Sequence, residues 1–333
     1  MTCLRFTRKQ AKAVWQLPLT FRLSMMKKCV EIDYVRCVLM AIVILVHVVN
    51  FGTLHPDFKT SMFTFFMPAF LIITGYLVNV EKTPKDFFVY LMRISLPYVI
   101  MVSAFSLMSL VLPVRDGLSE LSINALAERI FVTSIGPYWF LYDMIVCGVA
   151  YYAVFHFIGE RLDTTSRLAL FAFVLYIEAL LIPLLTFGDA TLYFIGVVLR
   201  RYDVSFLKVF RPSPFALLPF LILIVQRELW NKWLCMLLPF FAISFLVWCR
   251  GATPSWLRKA MDYAGRNTLP IYIFHPIFTM ASKFYLPLFA FDTTGIVHAV
   301  FTVLLGFAGS LAIAVVLDRT KMSLVFGSKA LLR

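Results

Sequence analysis

Long apolar runs alternate with short polar links along the whole chain. A helix needs about 20 mostly apolar residues to cross the hydrocarbon of a bilayer. Candidate spans fall near 34–54, 60–80, 87–112, 137–158, 167–187, 189–200, 213–226, 231–249, 268–290 and 295–317. The pattern predicts an all-α polytopic transmembrane bundle of about ten spans, the sixth and seventh short enough to be broken or strongly tilted. Composition agrees: 61% of the residues are apolar, 15% are charged and the mean hydropathy is +0.85. Soluble domains carry about a quarter charged residues, so the apolar surplus must face lipid.

Charge then orients the bundle. With the N-terminus in the cytosol, the inner segments hold Arg5, Arg8, Lys9, Lys12, Arg22, Lys27 and Lys28 before the first span. Further along they hold Lys82, Lys85, Arg161, Arg167, Arg200, Arg201, Lys208, Arg211, Arg250, Arg258, Lys259, Arg266, Arg319, Lys321, Lys329 and Arg333. The outer links hold only Lys59, Arg115, Arg129, Arg227 and Lys232. Cytosolic loops are enriched in Lys and Arg, so this asymmetry predicts both termini in the cytosol. The net charge of +13 is then a loop property and does not point to nucleic acid. Residues 1–30 read as a basic cytosolic arm, without the uninterrupted apolar stretch of a signal peptide. Met25 or Met26 is an alternative start. Residues 31–320 read as one transmembrane domain and 321–333 as a basic cytosolic tail. The longest outer link, about 113–136, contains "LSELSINALAERIF", whose apolar positions 118, 121, 126 and 130 predict a short surface helix. The six cysteines show no CxxC pattern, and no His, Asp or Glu spacing suggests a metal.

The first run, "EIDYVRCVLMAIVILVHVVNF" (31–51), carries Arg36 and His47. Eleven positions at about 100° each make three turns plus roughly 20°, so both side chains share one helix face, about 16 Å apart along the axis. Arg36 alone reads equally as a snorkelling anchor. A histidine in hydrocarbon is costly unless it faces a packed or hydrated interior, and imidazole is the usual general base near neutral pH. Other polar groups in or beside the spans are weaker candidates. Thr74 and Gly75 allow close approach of a ligand or simply of another helix. Arg93 suits an anion or a snorkelling role. Trp139, next to Tyr138, suits a ligand or an aromatic belt. Asp143 and Glu178 are intramembrane carboxylates, rare and usually inward-facing. His275 reads first as a structural hydrogen-bonding group; His156 reads as interfacial, and His55 and His298 as outer-surface residues of little signal.

With those residues in view, "EIDYVRCVLMAIVILVH" resembles the opening of the acyltransferase-3 family of integral membrane acyltransferases, with Asp33, Arg36 and His47 at the motif's acidic, basic and histidine positions. "FFMPAFLIITGYLVN" is similar to the family's segment ending Ser-Gly-Phe/Tyr-Leu, with Thr74 in place of the serine and Gly75, Tyr76 and Leu77 matching. "KDFFVYLMRISLPYV", "GPYWFLYDMIV" and "AGRNTLPIYIFHPIF" resemble three later landmarks, in the same order. One departure matters: many members carry two arginines three apart at the start of the third span, whereas here Tyr90 precedes Arg93. Contact with an anionic donor would then rest more on Arg36 or on loop cations.

The resemblance implies an enzyme of the bacterial cytoplasmic membrane; a second departure, no appended soluble domain of the kind some relatives use, favours a one-domain enzyme acting directly at the membrane. It would move an acyl group, acetyl or another short one, from acyl-CoA to a hydroxyl of a cell-surface polysaccharide or lipid-linked sugar. His47 and Arg36 would be catalytic, and Asp33, Thr74, Gly75, Arg93, Trp139, Asp143, Glu178 and His275 would contact donor or acceptor. The partners implied are acyl-CoA, the glycan acceptor and the lipid bilayer, with no bound cofactor. Direct transfer and a covalent acyl-histidine route both stay open, as do the acyl group and the acceptor sugar. The competing expectation is a proton-coupled exporter of lipid-linked saccharides, with Arg36, His47, Asp143 and Glu178 as relay; against it, no inverted repeat is visible.

Overall fold

The computed structural model of the chain describes residues 29–111, 117–118, 120, 122–158, 161–230 and 232–333. The alternative starts Met25 and Met26, and all but the end of the basic arm, lie outside the described residues. The helices, in chain order, are α1 (Val30–His47), α2 (Val49–Leu54), α3 (Pro56–Phe63), α4 (Phe66–Leu77), α5 (Pro84–Ser109), α6 (Ile123–Glu128), α7 (Trp139–Ala153) and α8 (Thr164–Leu181). They continue with α9 (Phe187–Arg201), α10 (Phe206–Val209), α11 (Leu217–Ile224), α12 (Leu238–Ala252), α13 (Ser255–Arg266), α14 (Thr268–Tyr285) and α15 (Ile296–Arg319). There is no β-strand among the described residues. Among the described residues, six helical stretches are long and apolar enough to cross a membrane: Pro56–Leu77, Pro84–Ser109, Gly136–Ile158, Thr164–Leu181, Trp233–Ala252 and Ile296–Arg319. The protein is an all-α, polytopic membrane-spanning bundle.

The remaining expected spans differ in instructive ways. The run 34–54 is not one helix. It breaks at Val48, whose extended backbone (φ −73°, ψ 103°) sends its N–H to the Leu45 carbonyl. The expected seventh span shrinks to the eight residues of α11, set between 3₁₀ turns at Pro214–Ala216 and Arg227–Leu229. The short surface helix of the outer link is present as α6, entered from a Ser122 cap whose hydroxyl accepts the Ala125 N–H.

α1 is the central element. It packs against α4, α12, α13, α14 and α15, and Ile32, Val35, Leu39, Met40, Val43, Ile44 and Val46 are all buried. A helix that is apolar on every side belongs inside a protein. That sheath is what lets α1 carry Glu31, Asp33 and Arg36 in its first two turns.

Two pairings set the site's geometry. α4 and α9 make the most extensive contact in the bundle, and each presents a glycine to the other's backbone. A Cβ on Gly75 would overlap the Tyr193 carbonyl, and one on Gly196 would overlap the Ile72 carbonyl. The second pairing rests on α13, amphipathic and not expected from the apolar pattern. It lays Gly265 against the Asp33 backbone of α1 and leaves Trp256 and Lys259 exposed. Backbone cannot yield as a side-chain tip can, and overpacking costs about 1–3 kcal/mol or more. Gly196→Ala is therefore expected to lower the melting temperature of the detergent-solubilised protein by several degrees, whereas Gly251→Ala, which meets nothing within 4 Å, should leave it unchanged. Equal melting curves would refute the close crossing.

Candidate functional site

Two chemically distinct places lie along α1. At its first turns a cavity of about 210 Å³ is lined by Arg36 of α1, Thr74 of α4, Tyr90 and Arg93 of α5, and Arg266 at the end of α13, among others. The segment after α15 adds Ser328, Ala330, Leu331 and Arg333, and the opposite wall is apolar, with Ile73, Ile94, Met144 and Pro270. Four guanidinium groups thus meet in one lining that holds no Asp or Glu side chain among the described residues.

Each arginine is positioned by a neighbour. Arg36 donates to the Thr268 hydroxyl at the start of α14, and its Nη1 lies 4.0 Å from the Asp33 carboxylate, one turn back. The other Asp33 oxygen lies 4.0 Å from Arg266 Nε, which also donates to the Asp262 carbonyl at 3.2 Å. Asp33 is buried and tethers two of the cations, so its place is behind the lining. Arg93 is less satisfied: its Nε is buried without a hydrogen-bond partner. Lys82, in the link between α4 and α5, sits with its ammonium 4.2 Å from the Tyr90 ring centroid. Burial, reinforced by the Arg93 and Arg333 charges, pushes that ammonium below its ordinary pKa. The region is electropositive, poised for an anion.

The second place is a pair of imidazoles. His47, the last residue of α1, and His275 of α14 have ring centroids 5.5 Å apart, edge to face. Phe63 of α3 flanks His47 at 6.4 Å. The local sequence explains how His275 is held. Pro276 has no N–H to give the carbonyl four residues back. That carbonyl, on Tyr272, accepts instead from His275 Nδ1 at 2.8 Å. His47 Nδ1 likewise donates to the Val43 carbonyl at 2.6 Å. A carbonyl can only accept, so Nδ1 bears the proton in both rings and Nε2 of the neutral ring keeps the lone pair. His275 Nε2 is buried with no hydrogen-bond partner. The Tyr272 hydroxyl donates to the Pro137 carbonyl and the Tyr138 hydroxyl to the Ile273 carbonyl at 3.1 Å, pinning α14 against the turn that opens α7.

The lining of the cavity does not include His47 or His275. It reaches Pro270, and His275 lies five residues further along the same helix, about 7.5 Å of rise. Of the residues expected to form a site, Arg36, Thr74 and Arg93 share the cavity, with Asp33 behind it, and His47 and His275 form the pair. Gly75 serves the α4–α9 crossing. Trp139 stands edge-on to Phe140, centroids 6.2 Å apart, outside the lining. Asp143 is fully buried and neither carboxylate oxygen has a hydrogen-bond partner. Neither it nor Glu178 is in the cavity lining. His298, expected at the outer surface, is buried with Nε2 donating to the Ser282 carbonyl at 3.2 Å. Arg266 and Arg333 were not singled out by the sequence. The amphipathic pattern of α13 could have drawn attention to Arg266; no local signal marks Arg333.

The central helix of this bundle thus carries a cationic cavity at one end and an imidazole pair at the other. The chain matches the acyltransferase domain family model over residues 30–317. It therefore belongs to the acyltransferase-3 family and is an acyltransferase by membership. No curated protein and no solved structure matches it. Among the described residues no group of three or more His, Cys, Asp or Glu comes together to hold a metal.

A cationic cavity should select reagents by charge. With a cysteine at Thr74 and the native cysteines replaced, an anionic methanethiosulfonate is expected to react at least several-fold faster than a cationic one of similar size. Neutralising Arg36 and Arg93 should erase the preference. Equal rates for both reagents before neutralisation would show that the cavity exerts no such field.

Proposed function

We propose that the protein transfers a short acyl group from acyl-CoA to a hydroxyl of a cell-surface polysaccharide or lipid-linked sugar, with His47 as general base. The observation that carries this reading is the joint placement, on one buried helix, of a guanidinium-lined cavity at Arg36 and an imidazole at His47 whose Nδ1 donates to a carbonyl. The phosphates of the donor would sit among Arg36, Arg93 and Arg266. The thioester arm would extend past Pro270 toward the two histidines. His47 Nε2 takes the acceptor hydroxyl proton as the oxygen attacks the thioester carbonyl carbon. The tetrahedral adduct then collapses, breaking the carbon–sulfur bond, and the imidazolium returns the proton to the departing thiolate. His275, in edge contact with His47, holds the attacking base in place. Reversing the order, with His47 itself acylated first, uses the same groups.

The Lys and Arg asymmetry of the links supports an orientation with both ends in the cytosol, so that the cavity opens to the compartment where acyl-CoA is made. The bacterial cytoplasmic membrane is the setting this implies. The exporter reading has less support, because the family match is to an acyltransferase domain.

General base catalysis contributes about 10²–10⁴-fold in rate. His47→Ala is expected to reduce transfer by that factor in purified protein that still inserts and binds coenzyme A, and His275→Asn to reduce it less. Mass spectrometry of surface glycan from cells carrying His47→Ala should show loss of an ester-linked acyl group with polymer amount unchanged. Retention of full transfer activity would overturn the base assignment, and loss of the polymer itself would point to export.

A further inference from the structure

The eleven residues after Met322 do not leave the bundle. After α15 a 3₁₀ turn, Met322–Leu324, leads the chain back toward α5, where it passes Gly327 at positive φ (+71°). A Cβ there would come within 2.8 Å of the Met92 carbonyl, so the segment runs directly on the α5 backbone, one residue from Arg93. Ser323 is buried and its hydroxyl donates to the Lys329 carbonyl at 3.2 Å. Leu331 is buried in the main apolar core.

Three consecutive amides of this segment are then clamped from the side. The Asp318 carboxylate, at the end of α15, accepts the Leu331 N–H at 2.7 Å and the Leu332 N–H at 3.1 Å. The Asn267 side chain, between α13 and α14, accepts the Arg333 N–H at 2.7 Å and its amide nitrogen donates to the Arg333 carbonyl at 3.4 Å. The outcome of this clamp is specific. Arg333 joins Arg36, Arg93 and Arg266 in the cavity lining. Like charges gathered without a carboxylate in the lining repel one another, and the buried, unpartnered Nε of Arg93 leaves a charged donor unspent. Both features call for an anionic occupant.

We propose that the segment after α15 is a fixed wall of the donor site and that Arg333 is a donor-binding residue, completing a four-guanidinium cradle for a ligand with more than one phosphate. This deepens the acyl-CoA reading and rests on it for the identity of the donor. Four cations exceed what one phosphodiester, as in a lipid headgroup, can neutralise, whereas a nucleotide bearing a pyrophosphate and a further phosphate matches them.

The test is equilibrium binding of coenzyme A to the full chain in detergent micelles, by calorimetry. Loss of one charge-assisted contact is worth about tenfold or more in affinity, so Arg333→Gln should bind at least that much more weakly, with Arg333→Lys between it and the native protein. Asp318→Ala should show a comparable loss together with faster hydrogen exchange at residues 331–333, which ties the effect to the clamp. Affinity in Arg333→Gln equal to the native value, while Arg36→Gln loses binding, would overturn the role of Arg333 and leave the donor reading standing. No binding of coenzyme A by the native protein, alongside stabilisation by phosphatidylglycerol nanodiscs that Arg333→Gln abolishes, would overturn the donor reading and assign the cradle to lipid.

Discussion

Putting a guanidinium inside a membrane protein is costly unless protein surrounds it and hydrogen bonds satisfy it. Most of what is distinctive here follows from meeting that condition at Arg36. Its helix is sheathed by five others and so need not be apolar enough to face lipid. Thr268 and Asp33 take up its donors. Asp33 in turn requires that α13 come close, and Gly265, pressed against the Asp33 backbone, is the residue that permits it. The same approach delivers Arg266 to the cavity. One half-buried cation thus goes together with a helix, a glycine and a second cation.

At the other end of α1 the constraint is different in kind. Imidazole is useful as a base only with its lone pair available, and a buried ring takes whichever tautomer its neighbours impose. The missing N–H of Pro276 settles the matter for His275 by freeing the Tyr272 carbonyl, and the end of α1 does so for His47 through Val43. Both rings are left with Nε2 as the acceptor. A proline inside α14, which as helix chemistry looks like a defect, is what orients the ring packed against His47.

The sequence made the membrane bundle and the central pair Arg36 and His47 legible because both depend on local periodicity: apolar run length in one case, eleven positions of helix in the other. It misjudged what depends on packing. Val48 breaks the first run although nothing apolar or polar changes there. α13 escapes the apolar pattern because an amphipathic helix carrying Arg258 and an exposed Lys259 reads as a charged link when only apolar length is scored. Asp143 and Glu178 stand out in the sequence as intramembrane carboxylates, and neither lines the cavity. Gly75 matches a family landmark, and the structure commits it to the crossing with α9. Arg333 sits 297 positions after Arg36 in the chain, and only the fold back over α5 brings the two together.

Separating the cradle from the imidazoles has a consequence for catalysis under the acyl-CoA reading. Contacts to phosphates remote from the reacting carbonyl cannot favour the transition state by themselves, because they are the same before and during reaction. They contribute by fixing where the thioester arm ends, turning an encounter of acyl group, hydroxyl and base into an oriented approach. Rigidity between the two places then matters as much as the charge at one of them. α1 and α14 supply it: each reaches both places, α1 through Arg36 and His47 and α14 through Pro270 and His275, and hydroxyl-to-carbonyl bonds from Tyr138 and Tyr272 lock α14 to α7 in the interval. The buried helix that made room for a charge is also the ruler that spaces donor binding from chemistry.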